Sequence, residues 1–232
     1  KVTVSYDGDG NFTSANAEIE FTVSAVNPNI NIVTGNVNYG ANATVTITAN
    51  TDVTGKVIIA VNGANHEVDI VNGRATLVLS GLAAGRYGVT VSYSGNGNFT
   101  GATAGTEFNV TKINPNMNVD VVTDDFGGKV NVTVTVNPEA TGKVNITVNS
   151  DIYEANIVDG KAVLTLSDLA PGKYTVAVKY DGDGNFTGAT ANTEFTIGTV
   201  DPSLGVVVGN ITYGNNATVV VNVNPGATGK VN

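Results

Sequence analysis

The chain has 232 residues, a formal net charge of −9, 13% charged residues and 41% hydrophobic residues. This acidity excludes a basic nucleic-acid-binding surface, and the hydrophobic content is too high for an intrinsically disordered chain. The chain has no cysteine and one histidine, which excludes disulfides, thiolate metal sites and cysteine nucleophiles and leaves little basis for imidazole catalysis. No apolar run is long enough to span a membrane, so we expect no membrane insertion in this segment. Because of the negative net charge, we expect no nucleic-acid binding either.

A repeat of 87 residues organises the sequence. The segment at residues 6–13, Tyr-Asp-Gly-Asp-Gly-Asn-Phe-Thr, recurs with small changes at 93–100 and again at 180–187. The turn Asn27-Pro28-Asn29 recurs at the same interval, as Asn114-Pro115-Asn116 and as the variant Asp201-Pro202-Ser203. This period is too long for one turn of a solenoid and fits a small all-β domain.

The repeat predicts the domain boundaries. We expect complete copies at residues 25–111 and 112–198, connected by about six residues at 111–116. Residues 1–24 would supply the last two strands of a preceding copy, and residues 199–232 the first strands of a following one. Neither partial copy could bury a core alone, so we expect both to be completed by covalently continuous residues of a longer polymer of the same repeat.

Within a copy, apolar and polar residues alternate with the period of a β-strand, which predicts that Val45, Ile47, Val57, Ile59 and Phe108 face inward. In chain order, the predicted strands of the first complete copy are residues 30–34, 43–49, 56–61, 66–71, 74–79, 86–93 and 106–110. Asn72-Gly73 between the fourth and fifth strands, like Asp159-Gly160 in the next copy, is typical of a two-residue hairpin turn. About seven short strands per copy predict tandem immunoglobulin-like β-sandwiches, which we expect to be arranged as a rod.

A tyrosine near the start of the sixth strand supports this fold. Residues 82–91 contain the pattern Leu-x-x-Gly-x-Tyr-x-Val-x-Val, which returns at 169–178. A tyrosine at this place in an immunoglobulin-like domain forms a tyrosine corner, in which its hydroxyl bonds to upstream backbone. Tyr87 and Tyr174 are therefore the predicted tyrosine corners.

The same pattern, followed by Tyr and then Gly-(Asp/Asn)-Gly-Asn-Phe-Thr, resembles the bacterial Ig-like repeats of very large surface proteins. The abundance of asparagine and threonine is similar to that of adhesin-like proteins of methanogenic archaea. The resemblance implies a secreted, tandemly repeated stalk at the cell surface. It implies no catalytic residue and no cofactor.

The repeated motif at residues 6–13 and 180–187 contains aspartates that allow two interpretations. Asp7 and Asp9, like Asp181 and Asp183, stand at the spacing that opens an EF-hand calcium loop. However, the twelfth position counted from Asp181 is Asn192 rather than a glutamate, and the middle copy carries Ser94 and Asn96 in place of the aspartates. A glycine- and asparagine-rich turn is the preferred interpretation, with no metal. Calcium at the four aspartates is the alternative, and comparing melting temperatures in calcium and in chelator would distinguish the two.

Glycosylation is a second candidate modification. The chain contains nine Asn-x-Ser/Thr sequons, a modest excess over what its composition produces by chance. Asn98 and Asn185, together with Asn11, lie in the repeated turn, which we expect to be exposed, and are the candidate sites. The alternative is that asparagine- and threonine-rich β-surfaces form sequons by accident.

These observations favour a non-enzymatic structural spacer in an extracellular adhesin-like protein or fibre. Its expected partners are neighbouring repeats of the same chain, lateral copies in a fibre, and a cell-surface or glycan partner reached through other regions. The alternative is an adhesion module that binds carbohydrate or protein through loops at one end of the sandwich. No constellation of residues supports an enzyme.

Overall fold

Alternation along the strands determines which side chains form the core. Val45 and Ile47 are fully buried and Thr44 is exposed, although Thr46, which lies between the two buried residues, is itself only 9% exposed. Val57 and Ile59 on the next predicted strand are also fully buried, as the alternation predicted. Each buried valine or isoleucine contributes about 1.5–3 kcal/mol relative to an exposed one, so this pattern holds the strands to one orientation.

The computed structural model describes residues 1–124 and 126–232. Within these residues the protein is all-β, with no helix, and accordingly none of them forms an apolar helix that could cross a membrane. The chain divides into a first unit, Lys1–Lys112, and a second unit, Ile113–Asn232. Each unit contains an immunoglobulin-like sandwich of two sheets.

The first unit contains ten strands. They are β1 (Val2–Tyr6), β2 (Ala15–Ile19), β3 (Asn31–Val33), β4 (Val37–Asn38), β5 (Ala43–Thr48), β6 (Gly55–Val61), β7 (Ala64–Ile70), β8 (Arg74–Leu79), β9 (Gly85–Tyr93) and β10 (Ala102–Thr111). One sheet has the order β3-β5-β8 and the other β4-β10-β9-β6-β7, while β1 and β2 form a separate pair. All neighbours are antiparallel except β4 and β10.

The second unit repeats this plan. Its strands are β11 (Asn118–Thr123), β12 (Lys129–Thr135), β13 (Lys143–Val148), β14 (Asp151–Asn156), β15 (Lys161–Ser167), β16 (Gly172–Tyr180), β17 (Ala189–Ile197), β18 (Gly205–Val208) and β19 (Val219–Asn222). The sheets have the orders β11-β12-β15 and β14-β13-β16-β17, and β18 pairs with β19. The immunoglobulin-like sandwich predicted from the sequence is thus present in both units.

Two details of the first complete copy differ from the prediction. It has eight strands rather than seven, because Val37–Asn38 forms an additional strand, β4, which pairs in parallel with the end of β10 at the edge of the second sheet. A two-residue strand has no periodicity to detect. The last strand is also longer than the predicted 106–110, because residues 102–110 all pair with β9.

The predicted hairpin turns are confirmed. Asn72 and Gly73 both have positive φ, at 50° and 68°, and Val71 and Arg74 exchange two backbone hydrogen bonds across them. These are the features of a type I′ turn, whose twist suits a hairpin. Asn62-Gly63, which the prediction overlooked, makes a similar turn between β6 and β7.

The strand pair β1–β2 exposes side chains that are buried in the complete copy. Phe12 is 69% exposed, whereas Phe99, one repeat later, is 8% exposed. Phe21 is 67% exposed, against 1% for its equivalent Phe108. The side chains that form the core in the complete copy are therefore exposed in residues 1–24.

Candidate functional site

The repeated motif forms a loop between the last two strands of each copy. We call residues 94–100 and 181–187 the Asn-Phe-Thr loops of the first and second units. In the first, Asn96 Oδ1 accepts hydrogen bonds from the backbone N–H groups of Asn98 and Phe99, at 2.8 and 2.9 Å. Asp183 Oδ1 accepts the matching bonds from Asn185 and Phe186, also at 2.8 and 2.9 Å. Either residue type closes this turn because either supplies a side-chain oxygen.

A glycine and a phenylalanine hold each loop in place. Gly182 has φ of +86°, and a Cβ there would lie 2.6 Å from the carbonyl oxygen of Phe186. Gly95 in the first unit has φ of +87° and a similar clash with backbone at 2.7 Å. The Phe186 side chain is fully buried, so the loop is fixed to the core of its sandwich.

Each Asn-Phe-Thr loop binds the segment that enters its own unit. The Val26 N–H donates to the Asn98 carbonyl at 3.0 Å, and the Thr100 N–H donates to the Val26 carbonyl at 2.9 Å. Ile113 makes the same two bonds to Asn185 and Thr187, at 3.1 and 2.9 Å. The entering chain is thus paired in parallel with the loop, as a two-bond bridge.

The Asn-Pro-Asn turn provides a second attachment a few residues later. Pro115 is buried, and its carbonyl accepts a hydrogen bond from the Asn137 N–H at 2.7 Å. Asn114 Oδ1 accepts from the Asn116 N–H at 2.7 Å, and Asn116 has φ of 54°, which asparagine tolerates. Pro28 repeats the arrangement in the first unit, where its carbonyl accepts from Asn50 at 2.9 Å.

Together these attachments leave very little chain between the units. Strand β10 ends at Thr111, and Ile113 is already bonded to the Asn-Phe-Thr loop of the second unit. Lys112, the last residue of the first unit, is the one residue between the end of β10 and Ile113. The sequence alone suggested a connection of about six residues, at 111–116; the structure attaches most of those residues to the second unit.

The two loops differ at one functional group. Asp183 has a second carboxylate oxygen, Oδ2, which accepts hydrogen bonds from the backbone N–H and the hydroxyl of Thr141, at 2.8 and 2.9 Å. Asn96 has an amide NH₂ there, which cannot accept such bonds. Thr54 is the equivalent of Thr141 in the first unit. The Tyr93 hydroxyl donates to the Thr54 carbonyl at 3.1 Å, and the Tyr180 hydroxyl donates to the Thr141 carbonyl at 3.0 Å.

The surroundings of this loop shift the pKa values of Asp183 and Tyr180. Partial burial raises the pKa of Asp183, but the donors at Thr141, Asn185 and Phe186 outweigh it and lower the pKa from 3.8 to about 2. Burial raises the pKa of Tyr180 to about 12, and its interaction with the Asp183 carboxylate adds to this. The ionised form of Asp183 is therefore part of the folded loop.

Replacing Asp183 by asparagine is expected to destabilise the second unit by about 1–2 kcal/mol at neutral pH, because the bonds to Thr141 are lost. The folded-state pKa is below the ordinary value, so this stabilisation is present above about pH 4 and is lost as the pH falls towards 2. Denaturant unfolding of the wild type and Asp183→Asn at pH 7 and pH 2 would measure it. The same difference at both pH values would contradict the assignment. Asn96→Asp in the first unit is the reciprocal control.

Most of the acidic residues considered for calcium already make other contacts. Asp181 pairs with Lys179 at 2.7 Å, and both oxygens of Asp183 accept hydrogen bonds from the protein. Asp9 Oδ1 accepts from the N–H groups of Asn11 and Phe12, while Asp7 is exposed. Across residues 1–124 and 126–232, no three acidic or histidine side chains are grouped so as to hold a metal ion. The aspartates at positions 9 and 183 thus close turns.

The two tyrosines proposed as corners each make a backbone contact four residues upstream. The Tyr87 hydroxyl donates to the Ala83 carbonyl at 3.0 Å, and Tyr174 donates to Ala170 at 2.9 Å. The ring of Tyr174 also stacks on Phe195, with centroids 5.1 Å apart. These contacts fix the turn that leads into β9 and β16.

Two further sets of bonds were not foreseen from the sequence. Tyr93 and Tyr180, at the ends of β9 and β16, tie the start of each Asn-Phe-Thr loop to Thr54 and Thr141, which lie just before β6 and β13. Asn62 Oδ1 accepts from the Gly88 N–H at 2.8 Å, and Asn149 accepts from Thr175 at 3.0 Å. The recurrence of these tyrosines and asparagines at the 87-residue interval is the signal that could have revealed them.

Ion pairs recur on the outer faces of the sandwiches. Lys173 pairs with Glu194 and Lys143 with Glu154, each at 2.8 Å. Arg86–Glu107 and Lys56–Glu67 are the equivalent pairs of the first unit. All are more than half exposed, so each contributes little to stability. Lys56 and Lys143 are exposed, because they precede the buried Val57 and Val144 and therefore point to the opposite face of their strands.

The sequons of the repeated turn are not equally accessible. Asn98 and Asn11 are exposed, whereas Asn185 is half-buried. The expectation that Asn98 and Asn185 share one exposed turn therefore needs correction for Asn185. Its backbone carbonyl accepts from Ile113, and the Thr187 hydroxyl donates to the Ile113 carbonyl at 3.4 Å.

Comparison with known proteins agrees with the fold. Residues 118–198 match the family model described as a bacterial Ig-like domain, group 3. No curated protein matches the chain. The matched segment runs from the start of β11 to the residue after β17, which is one complete sandwich of the second unit.

Several solved structures are also similar to the chain. The fibronectin(III)-like modules of Clostridium thermocellum CbhA are 12% identical, with a TM-score of 0.31 and coverage of 73% of this chain and 94% of theirs. The titin domains Z1Z2, solved in complex with telethonin, are 17% identical, with a TM-score of 0.43 and coverage of 77% and 100%. The titin Ig tandem domains A164-A165 are 11% identical, with a TM-score of 0.33 and coverage of 77% and 100%.

Proposed function

We propose that this chain is a segment of a non-enzymatic spacer, in which tandem immunoglobulin-like domains project a distal region from a cell surface or link cells. The proposal places it outside the cell, in an adhesin-like protein or fibre. Its asparagine- and threonine-rich composition supports a protein of the kind found in methanogenic archaea. Its partners would be the neighbouring repeats of the same chain, lateral copies in a fibre, and a surface or glycan reached through other regions.

The observation that carries the proposal is the attachment of the entering segment to each unit. A flexible tether would leave several residues unbonded between domains. Here Ile113 is bonded to the Asn-Phe-Thr loop and Pro115 to Asn137, so the connection is confined to the residues around Lys112. Proline also fixes its own φ and restricts the residue before it. Copies joined in this way would bend little at their junctions, so the length of the spacer would grow with the number of copies.

Small-angle scattering of the full chain tests this stiffness. We expect an elongated particle with limited bending, because each copy adds on the order of 40 Å of strands and loops. A variant with a short Gly-Ser insertion after Lys112 is the control, since it restores a flexible tether without touching either core. A wild-type profile of a compact globule, or one as flexible as the insertion variant, would overturn the proposal. Glycan-array binding by the chain would instead favour the adhesion-module alternative.

We also propose that N-glycans, where the source cell attaches them, are found at Asn98 and Asn11 before Asn185. Asn98 and Asn11 are exposed, and the half-buried Asn185 offers an attached glycan less room. Intact-mass and glycopeptide analysis of native material would measure occupancy at each sequon. Unmodified mass at all of them would remove glycosylation from this account, and greater occupancy at Asn185 would contradict the order.

A further inference from the structure

The chain contains three Asn-Gly pairs, at Asn62-Gly63, Asn72-Gly73 and Asn96-Gly97. In such a pair the backbone nitrogen of the glycine can attack the side-chain carbonyl of the asparagine, because glycine presents no Cβ to obstruct the approach. The structure places the three pairs in different surroundings. Two lie in hairpin turns, and the third lies in the Asn-Phe-Thr loop of the first unit.

The two hairpin pairs are held against this reaction. The Gly73 N–H donates to the Val53 carbonyl at 3.2 Å, which engages the nitrogen that would attack. The Asn62 side chain is bonded across the sheet rather than within its own turn, because its Oδ1 accepts from the Gly88 N–H of β9 at 2.8 Å, and the Asn62 N–H donates to the Gly88 carbonyl at 3.0 Å. Reaction at either pair requires the hairpin or its cross-strand bonds to open.

Asn96-Gly97 is arranged differently. As at Asn62-Gly63, both residues are exposed and no atom lies within 4 Å of the place where the glycine would carry a Cβ, but here the hydrogen bonds to the asparagine side chain come from its own turn. The bond from the Asn98 N–H to Asn96 Oδ1 closes a ring that contains both reacting atoms, the Gly97 nitrogen and the Asn96 Cγ. The Phe99 N–H donates to the same oxygen at 2.9 Å. Two backbone donors on a carbonyl oxygen stabilise the negative charge that develops there during attack.

We propose that Asn96 is a site of spontaneous deamidation through a cyclic imide. The Gly97 nitrogen loses its proton to solvent and bonds to the Asn96 Cγ, placing negative charge on Oδ1. The Cγ–Nδ2 bond then breaks, and the nitrogen takes up protons from solvent and leaves as ammonia. Water opens the imide at one of its two carbonyls. The product is an aspartate, or an isoaspartate in which the main chain runs through the side chain.

The aspartate product has a structural consequence. It places at position 96 the carboxylate that the other two copies encode as Asp9 and Asp183. Because Thr54 occupies the place of Thr141, the new Oδ2 gains the acceptor role that Asp183 Oδ2 has in the second unit. Deamidation thus converts the first loop to the acid-sensitive form of the second. The isoaspartate product lengthens the main chain and disrupts the loop and its bridge to Val26.

Peptide mapping of the full chain after prolonged incubation at mildly alkaline pH tests the proposal. We expect conversion of Asn96 to outpace that of Asn62 and Asn72 severalfold in the folded chain. In denaturant the three pairs should react alike, because only the fold distinguishes them. Gly97→Ala, for which the loop has room, should slow conversion at Asn96 without changing the unfolding midpoint appreciably. Conversion at Asn62 or Asn72 that equals or exceeds conversion at Asn96 in the folded chain would overturn the proposal.

Discussion

Replacing Phe186 by alanine is expected to lower the free energy of unfolding of the second unit by about 3–5 kcal/mol. The side chain is fully buried and anchors the Asn-Phe-Thr loop, so its removal leaves a cavity beneath that loop. It also loosens the loop whose backbone holds Ile113. Hydrogen exchange in a denaturant series, followed peptide by peptide, would report the second unit separately from the first.

The chain provides a matched control for this substitution. Phe12 stands at the equivalent position of the repeat but is 69% exposed, so Phe12→Ala should change stability by no more than about 0.5 kcal/mol. The first unit of Phe186→Ala serves as an internal reference. Equal losses from the two substitutions would show that burial of this phenylalanine does not anchor the loop.

Gly182→Ala is expected to cost the second unit roughly 1–3 kcal/mol from left-handed backbone strain alone, with a steric penalty in addition. The glycine has φ of +86°, and the added Cβ would lie 2.6 Å from the Phe186 carbonyl and 2.8 Å from the Gly188 nitrogen. Both are backbone atoms, which cannot swing aside as a side chain would. We therefore expect protection of Ile113 from hydrogen exchange to fall together with the stability of the loop.

Gly184→Ala, two residues further along the same loop, is the control. No atom lies within 4 Å of the place that its added Cβ would occupy, and its φ is not in the left-handed region. The substitution should be close to neutral. If Gly182→Ala were equally neutral in thermal unfolding, the backbone conformation assigned to this loop would be wrong.

Local patterns in the sequence were sufficient for most of the fold. Alternation identified the inward positions at Val45, Ile47 and Phe108, because a strand with one buried face repeats every second residue. The Asn72-Gly73 turn was recognisable because few other pairs adopt positive φ at both positions. The strand Val37–Asn38 could not be found in this way, since it pairs with β10, more than seventy residues later in the chain.

The candidate site depends on contacts that have no local signal. The motif predicted a turn, but it did not show that Ile113 pairs with Asn185 or that Thr141 donates to Asp183. Those partners are far apart in sequence, and the fold alone brings them together. Comparison of the copies came closest to predicting these contacts. Asn96 and Asp183 both supply the oxygen that closes the turn, but only Asp183 has a second carboxylate oxygen.

The distance between the two units in solution tests the spacer proposal most directly. The absence of cysteine allows spin labels to be introduced at Thr90→Cys and Ala177→Cys, exposed positions that are equivalent in the two copies. We expect a single narrow distance distribution near about 40 Å, the length of one repeat of strands and loops, and a broad one after Gly-Ser insertion behind Lys112. A broad distribution in the chain without the insertion would contradict the proposed stiff junction.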